Sequence, residues 1–599
     1  MSARPARPAR PPRPARPTRR WPAVLLALVC LLPVTACTGL PDSGPVVEAG
    51  TESQVNEREP DEVNAVPPAE DATPDEIVLG FLKAMTAWPT DTEVVEQYLS
   101  ASAAGEWDPA AATITYVGQP LPREDNLRFT LTLNDAERIG RDGVWAGRLP
   151  PEEQQLALDL TIEDGQYRIL DPPDALVVPD SWFAQRFRVA SLYYFDPSGR
   201  ILVPEPIYVP RGEQLTSTII ERLLAGPGPE RRRVMRSFVP PGLRVEVSVP
   251  VSADGVATVP LVGEAGVQTG DSVERMLAQL AWTLRQDPTI DAVRVTLGDQ
   301  VLAGPGGQEE YRVSDADRFD PAGSPATDGL FGIRNGALAE RDGNELVPVP
   351  GPFGTGQLAL EGATVDIAGG SAAGVTADGR LLVVAPIVES EEDVALPVRR
   401  PLRGTELLRP TWDFAGRIWT VDRTSLGAVV QVVSNGRVRR LEVPGVSGRD
   451  VRSFLVSRDA TRFVAVVRQP GGDELRIGRV QVDDRGALAG VDRTEQIAVE
   501  SGSGVRIRDI AWTSPTTIAL LSPLDPGAIY DVRVVSVDGS PASSEPLAGP
   551  LTDRVLGLAG TPVTGLPTYG LTRSGLIDLS DRSTYGFVGD PATDIGYAG

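Results

Sequence analysis

From about residue 303 onward no run of apolar residues falls at helical spacing, and nothing else in the sequence limits the available folds so strongly. What recurs there is a short apolar strand, a polar turn and a second short strand. Such units occupy residues 373–385 around Asp378-Gly379, 410–421 around Ala415-Gly416, 454–467 around Asp459-Ala460, and 510–521 around Ser514-Pro515. Successive turns lie 37, 45 and 55 residues apart, the size of a unit holding several short strands. Units of that kind point to the blades of a β-propeller. A sandwich of similar strands stays open as an alternative, and these spacings leave the number of blades open.

The chain upstream is organised differently. At Thr73-Pro74-Asp75-Glu76 a threonine cap, a proline in the first turn and a glutamate three residues after the cap mark a helix start. Val78, Phe81, Leu82 and Met85 then share one face. A second short helix is expected over 92–99, followed by strands over 113–117, 127–133 and 156–162. Helices followed by an antiparallel meander predict a small α+β domain over 73–188. Next comes a hairpin, 192–195 and 201–203, joined by Asp196-Pro197-Ser198-Gly199. A helix with Leu215, Ile219, Ile220, Leu223 and Leu224 on its inner face ends at Gly226-Pro227. Val245, Val247 and Val249 alternate as a strand would, and a further strand covers 256–261. A longer helix carries Val273, Met276, Leu277, Leu280, Ala281 and Leu284, and a strand with Val293, Val295 and Leu297 completes an α/β domain over 189–302.

The first 20 residues hold seven arginines and no acid, and an apolar run from Trp21 to Val34 follows. That run falls short of the ~20 residues needed to cross a bilayer. Together they have the form of a secretory signal over residues 1–36. Val34, Thr35 and Ala36 before Cys37 resemble the bacterial lipobox, in which the cysteine thiol receives diacylglycerol, cleavage falls before it and the new amine is acylated. Each buried methylene contributes ~0.8 kcal/mol, so two or more chains anchor a protein stably. Residues 37–72 are acidic and rich in Pro, Ser, Thr and Gly, and read as a flexible stalk between the lipid and the fold. The expected location is therefore the cell membrane, lipid-anchored on its extracytoplasmic face.

Composition narrows the chemistry. The formal net charge is −24, or −31 once the seven arginines leave with the signal. Phosphate backbones are poor partners for such a surface, which excludes nucleic acid. Cys30 would leave with the signal and Cys37 would carry lipid, so no disulfide is expected. There is no histidine, which excludes a Ser-His-Asp triad, a Cys-His pair and histidine-ligated zinc. The one lysine, Lys83, stands outside any S-x-x-K arrangement. Carboxylate chemistry alone survives, so no enzyme activity, no cofactor and no metal are expected.

Two resemblances add to this reading. Leu223-Leu224-Ala225-Gly226-Pro227, Val239-Pro240-Pro241-Gly242, Gly255-Val256-Ala257-Thr258-Val259 and Gln279-Leu280-Ala281-Trp282-Thr283-Leu284 look like the GerMN domain, a module first recognised in spore-formation and germination proteins. It implies a non-catalytic, envelope-facing binding or assembly unit. The order of lipobox, acidic stalk, α+β domain, GerMN domain and a propeller over 303–599 resembles the LpqB family of actinobacterial lipoproteins, as does Ala103-Ala104-Gly105-Glu106-Trp107-Asp108. That resemblance implies a partner, the extracytoplasmic domain of a sensor histidine kinase in an MtrB–MtrA type two-component system. It further implies a role in tuning signals tied to cell-wall growth and division.

Weaker patterns supply the competing readings. Asp378 or Asp413 near strand ends would serve a carboxylate-dependent glycosidase acting on envelope polysaccharide. Trp412, Trp419 and Trp512, if exposed, would stack sugars in a glycan-binding protein, although tryptophan on blade strands more often packs inward. Asp315, Asp317 and Asp320 lack the central glycine and terminal glutamate of a calcium loop and read as a solvated turn. Arg231, Arg232, Arg233 and Arg236 form a basic cluster, either a solvated loop or a patch that meets anionic lipid or an acidic partner.

Overall fold

The structure is a computed structural model that describes residues 63–599, except 121, 126, 213, 265–269, 324–325, 389–396, 500–503, 526–528 and 542–546. The expected signal, the lipobox residues and Cys37 lie outside the described residues. All described elements belong to one compact unit, Glu59–Gly599. Residues 63–72, expected to be stalk, are instead attached to the first domain. Val63 exchanges backbone hydrogen bonds with Trp88, the Tyr98 hydroxyl donates to the Val66 carbonyl at 2.7 Å, and Ala65 and Ala72 pack on the core. Apolar side chains in that segment find a surface to cover, so the acidic composition does not decide their fate.

The first domain opens with the helix Pro74–Ala84, whose Glu76 carboxylate accepts from both the backbone N–H and the hydroxyl of Thr73. Its apolar face (Ile77, Val78, Phe81, Leu82) is buried. The second helix, Thr92–Glu96, stops short of the expected residue 99, where Ile169 makes a parallel bridge with Leu99, accepting from the Ser100 N–H and donating to the Tyr98 carbonyl. Two four-stranded sheets follow. In one, Ala112–Val117 pairs antiparallel with Asn134–Gly140 and parallel with Leu176–Pro179. The other is an antiparallel meander of Pro122–Asp125, Arg128–Thr132, Gln155–Glu163 and Gln166–Ile169.

The second domain begins with a long hairpin, Phe187–Phe195 paired with Leu202–Pro210. Its helices Leu215–Leu224 and Gly270–Leu284 pack on that hairpin and on the parallel strands Val256–Val262 and Ala292–Leu297. Gln279 and Thr283, one turn apart on the long helix, are fully buried and bond the main chain of Tyr193: the Gln279 amide donates to its carbonyl at 3.1 Å, and its N–H donates to the Thr283 hydroxyl at 3.2 Å. Two polar residues of the GerMN-like motif thus seat the helix on the hairpin. The expected strand through Val247 shrinks to Arg244–Val245, with Val247 85% exposed. Pro260, opposite Glu246, has no N–H to return to the ladder. The core continues past residue 302 through Tyr311, Ala316 and Phe319.

The third domain is a closed ring of six four-stranded blades. Blade 2 is Leu360–Val365, Ser371–Thr376, Leu381–Pro386 and Arg399–Arg403. Blade 3 is Thr411–Trp412, Ile418–Thr424, Gly427–Ser434 and Arg437–Leu441. Blade 4 is Val451–Val456, Arg462–Gln469 and Gly472–Val482, with Leu488–Val491 and Glu495–Ile497 sharing the outer position. Blade 5 is Asp509–Ser514, Thr517–Asp525, Ile529–Ser536 and Ala548–Leu551, and blade 6 is Gly557–Ala559, Tyr569–Leu571, Gly575–Asp578 and Thr584–Gly586. Blade 1 takes Leu330–Arg334, Ala337–Asp342 and Glu345–Pro348 from its beginning and its innermost strand, Asp594–Tyr597, from the end of the chain. Six apolar cores each join two consecutive blades, and one of them joins blade 6 to blade 1. A sandwich has no such closure.

A three-domain junction as the candidate functional site

The most concentrated electrostatics among the described residues lie where the three domains meet. Glu205 sits in the apolar strand Leu202–Pro210, between Pro204 and Pro206, and its side chain is 4% exposed. Three guanidinium groups surround it. Arg479 of blade 4 donates to both carboxylate oxygens, at 2.9 and 2.8 Å. Arg231 of the second domain approaches at 2.8 Å, and the fully buried Arg462 of blade 4 at 3.4 Å. Arg231 also reaches Asp142 of the first domain at 3.4 Å, and Arg462 reaches Asp459 at 3.5 Å. Glu205 and the three arginines therefore join the second domain to the propeller, and Asp142, through Arg231, adds the first domain.

Burial pushes the Glu205 carboxyl up, but Arg479, Arg462 and Arg231 together outweigh it and hold the group below the usual carboxylate range. Burial, with Arg479 close by, pulls Arg462 down to about 10, still charged at neutral pH. Glu205 and Arg462 are thus both charged at neutral pH. A cleft of about 540 Å³ opens beside it, lined by Trp145, Glu230, Arg493 and Asp538 among others. Nearby, the Tyr208 hydroxyl donates to the Pro541 carbonyl at 3.3 Å, a further bond from hairpin to propeller.

The propeller channel, about 470 Å³, is lined at the starts of the innermost strands by Glu361, Arg409, Arg452, Arg508, Asp509 and Asp594. Several of these fasten one blade to another. Arg409 of blade 3 bonds Asp594 at 3.1 Å, the Ile595 carbonyl at 2.8 Å and the Ala363 carbonyl at 3.1 Å. Asp509 of blade 5 accepts from the Leu558 N–H of blade 6 at 2.8 Å. Burial raises Asp509 to about 6 and raises Asp594 too. Both carboxylates already accept main-chain N–H groups, which gives each a structural role between strands.

The structure assigns the sequence candidates differently. Trp419 is fully buried and donates to Asp413 at 2.8 Å, and Trp412 and Trp512 are each 6% exposed. None offers a face for a sugar. Asp413 is buried against Arg417 at 2.6 Å, whereas Asp378 is exposed and accepts the Thr376 hydroxyl in a turn. The two lie in different blades with separate local roles, and no catalytic pair forms between them. Asp315 accepts the Arg312 N–H, and Asp320 accepts that of Ala322. The basic cluster after Gly226 is dispersed: Arg231 turns to Glu205, Arg232 bonds the Pro227 carbonyl at 3.2 Å, and Arg236 covers the Phe238 ring. Glu205, Arg462 and Arg479 escaped the sequence reading. The available signal was a lone acid between prolines in an otherwise apolar strand.

Similarity to known proteins follows the same three divisions. Residues 67–184 match the family described as Lipoprotein LpqB, N-terminal domain, and residues 336–583 match the Lipoprotein LpqB beta-propeller domain. The chain belongs to the LpqB family of lipoproteins. Between those segments, residues 191–303 match the family described as Sporulation and spore germination. The Lipoprotein LpqB of Streptomyces coelicolor is 28% identical over 88% of this chain and 91% of its own length. That of Cutibacterium acnes is 29% identical over 87% of this chain and 89% of its own. Among solved structures, the chain is similar to the first GerMN domain of the sporulation protein GerM from Bacillus subtilis, at 23% identity. That match covers 21% of this chain and 99% of the GerM domain, with a TM-score of 0.19. No helix among the described residues is long and apolar enough to cross a membrane.

Proposed function

We propose that this LpqB-family lipoprotein is a non-catalytic accessory of a two-component sensor kinase of the MtrB–MtrA type. It would be held by acyl chains on Cys37 at the extracytoplasmic face of the cell membrane and would tune signals linked to cell-wall growth and division. The Glu205 clasp carries the reading. It commits a buried carboxylate and three arginines to holding the domains together. A scaffold that presents surfaces to another protein needs that arrangement, whereas a catalyst would need unspent polar groups in a cleft. Loops around the propeller and the second domain are then the natural contact surfaces. Crosslinking in intact cells, with the full-length lipoprotein as bait, tests the proposal. Recovery of the kinase's extracytoplasmic domain is expected. Recovery of wall glycan fragments without any kinase would overturn it.

A further inference from the structure

The outermost strands of the six blades differ sharply in charge. Those of blade 1 (Glu345–Pro348), blade 4 (Leu488–Val491 and Glu495–Ile497), blade 5 (Ala548–Leu551) and blade 6 (Thr584–Gly586) contain neither arginine nor lysine. The two remaining outer strands carry six. Arg399, Arg400 and Arg403 stand on the outer strand of blade 2, and Arg437, Arg439 and Arg440 on that of blade 3. All six are exposed, the two strands are neighbours, and none of the six makes an ion pair among the described residues. Arg439 bonds the carbonyls of Leu488 and Ala489 in blade 4, and no side-chain bond of the other five falls among the described residues.

Charging an edge strand to block edge-to-edge pairing is common. That need falls equally on every blade, and four blades meet it without a cation. Alternation along the strands spreads the charge over the wall. Leu402 packs between blades 2 and 3 opposite Leu382, and a bulge brings Arg399 opposite Val384 of the same core, so Arg399 lies on that side and Arg403 on the other. Leu441 packs toward blade 4, which puts Arg437 and Arg439 on that side and Arg440 toward blade 2. The result is a continuous basic wall on a chain whose formal net charge is −24.

We propose that this wall of blades 2 and 3 docks on the phosphate headgroups of an anionic bilayer, the one in which the lipid anchor sits. The proposal rests on the anchor at Cys37 for the protein's nearness to that bilayer. The 26 residues from Cys37 to Glu62 span at most about 90 Å, so the described body is confined close to the headgroups. Guanidinium groups bind phosphate through paired N–H donors. An acidic body is repelled by an anionic surface except through such a face, so the wall sets the orientation as well as the contact. The phosphate contacts are reversible and non-covalent, and the anchor keeps their local concentration high.

The test uses the polypeptide from Thr38 onward, without lipid, and sedimentation with vesicles of phosphatidylglycerol and phosphatidylcholine in equal amounts or of phosphatidylcholine alone. Binding is expected only to the anionic vesicles and should be released by salt. The variant R399Q/R400Q/R403Q/R437Q/R440Q should bind more weakly by on the order of 1000-fold or more, with an unchanged melting curve. The sequence carries Glu389, Glu391, Glu392 and Asp393 just before the blade 2 strand, and neutralising them should leave binding equal or tighter. Failure to bind anionic vesicles, undiminished binding by the five-fold variant, or binding to polyphosphate beads but not to vesicles would each overturn the proposal. None of these outcomes depends on whether a kinase is the partner.

Discussion

Replacing Glu205 by glutamine would remove one negative charge from among three guanidinium groups, of which Arg462 is wholly buried and Arg479 and Arg231 are about a quarter exposed. Removing one member of a buried ion pair costs about 3–5 kcal/mol, because the partner's charge is left without compensation. Two features place this case at the lower end. Glutamine keeps a carbonyl acceptor, and Asp459 still faces Arg462 at 3.5 Å. About 3 kcal/mol is a change on the order of 100-fold in the balance between docked and undocked domains. The assay is limited proteolysis with hydrogen exchange on Leu202–Pro210 and Arg462–Gln469, supported by calorimetry. Glu205→Gln should speed cleavage and exchange at the junction and split the melting profile into separate domain transitions. Because the folded carboxyl titrates below its ordinary value of about 4.5, its contribution is present above that value and lost as pH falls through the lower folded one. The difference between wild type and variant should therefore be constant near neutral pH and close in acid. Equal cleavage and equal melting of the two proteins at neutral pH would refute the clasp.

Asp413→Ala should destabilise blade 3 by about 3–5 kcal/mol, since it strands the buried Arg417 and the Trp419 N–H, and chemical denaturation of the two proteins would measure it. A chain stopped before Asp594 should lose the innermost strand of blade 1, and the propeller should become protease-sensitive while the first domain stays resistant. Burial raises Asp509 to about 6 from 3.8, so its contribution to stability is largest below the unfolded value and declines as pH rises through the folded one. The stability of wild type relative to Asp509→Asn should accordingly fall between about pH 4 and 6 and stay level above, as melting across that range would reveal.

The propeller's repeat shows how local reading and tertiary geometry part. The unit at 373–385 is the second and third strands of blade 2, whereas the units at 410–421, 454–467 and 510–521 are the first and second strands of theirs. Comparing unlike turns shortened the first interval to 37 residues. The like turn of blade 2 holds Gly369, 47 residues before Gly416. Blade 1 escaped detection because its innermost strand lies more than 240 residues from the rest of it. Two short strands that distant share no contiguous pattern.

What the sequence alone determined is local or compositional. The capping box at Thr73 and Glu76, the apolar faces of Pro74–Ala84 and Gly270–Leu284, the turn glycines and the absence of histidine all act within a few residues or by simple count. The tertiary structure alone decided the six-fold closure, which depends on the accumulated angle between blades and on a strand supplied by the far end of the chain. It also decided which charges are buried. Glu205 and Arg462 are ordinary surface-type residues in sequence, separated by 257 positions, and they leave water only because faces of two domains meet over them. A charge can be buried only where its counter-charges arrive with it, and that condition is set by domain packing, not by any local run of residues.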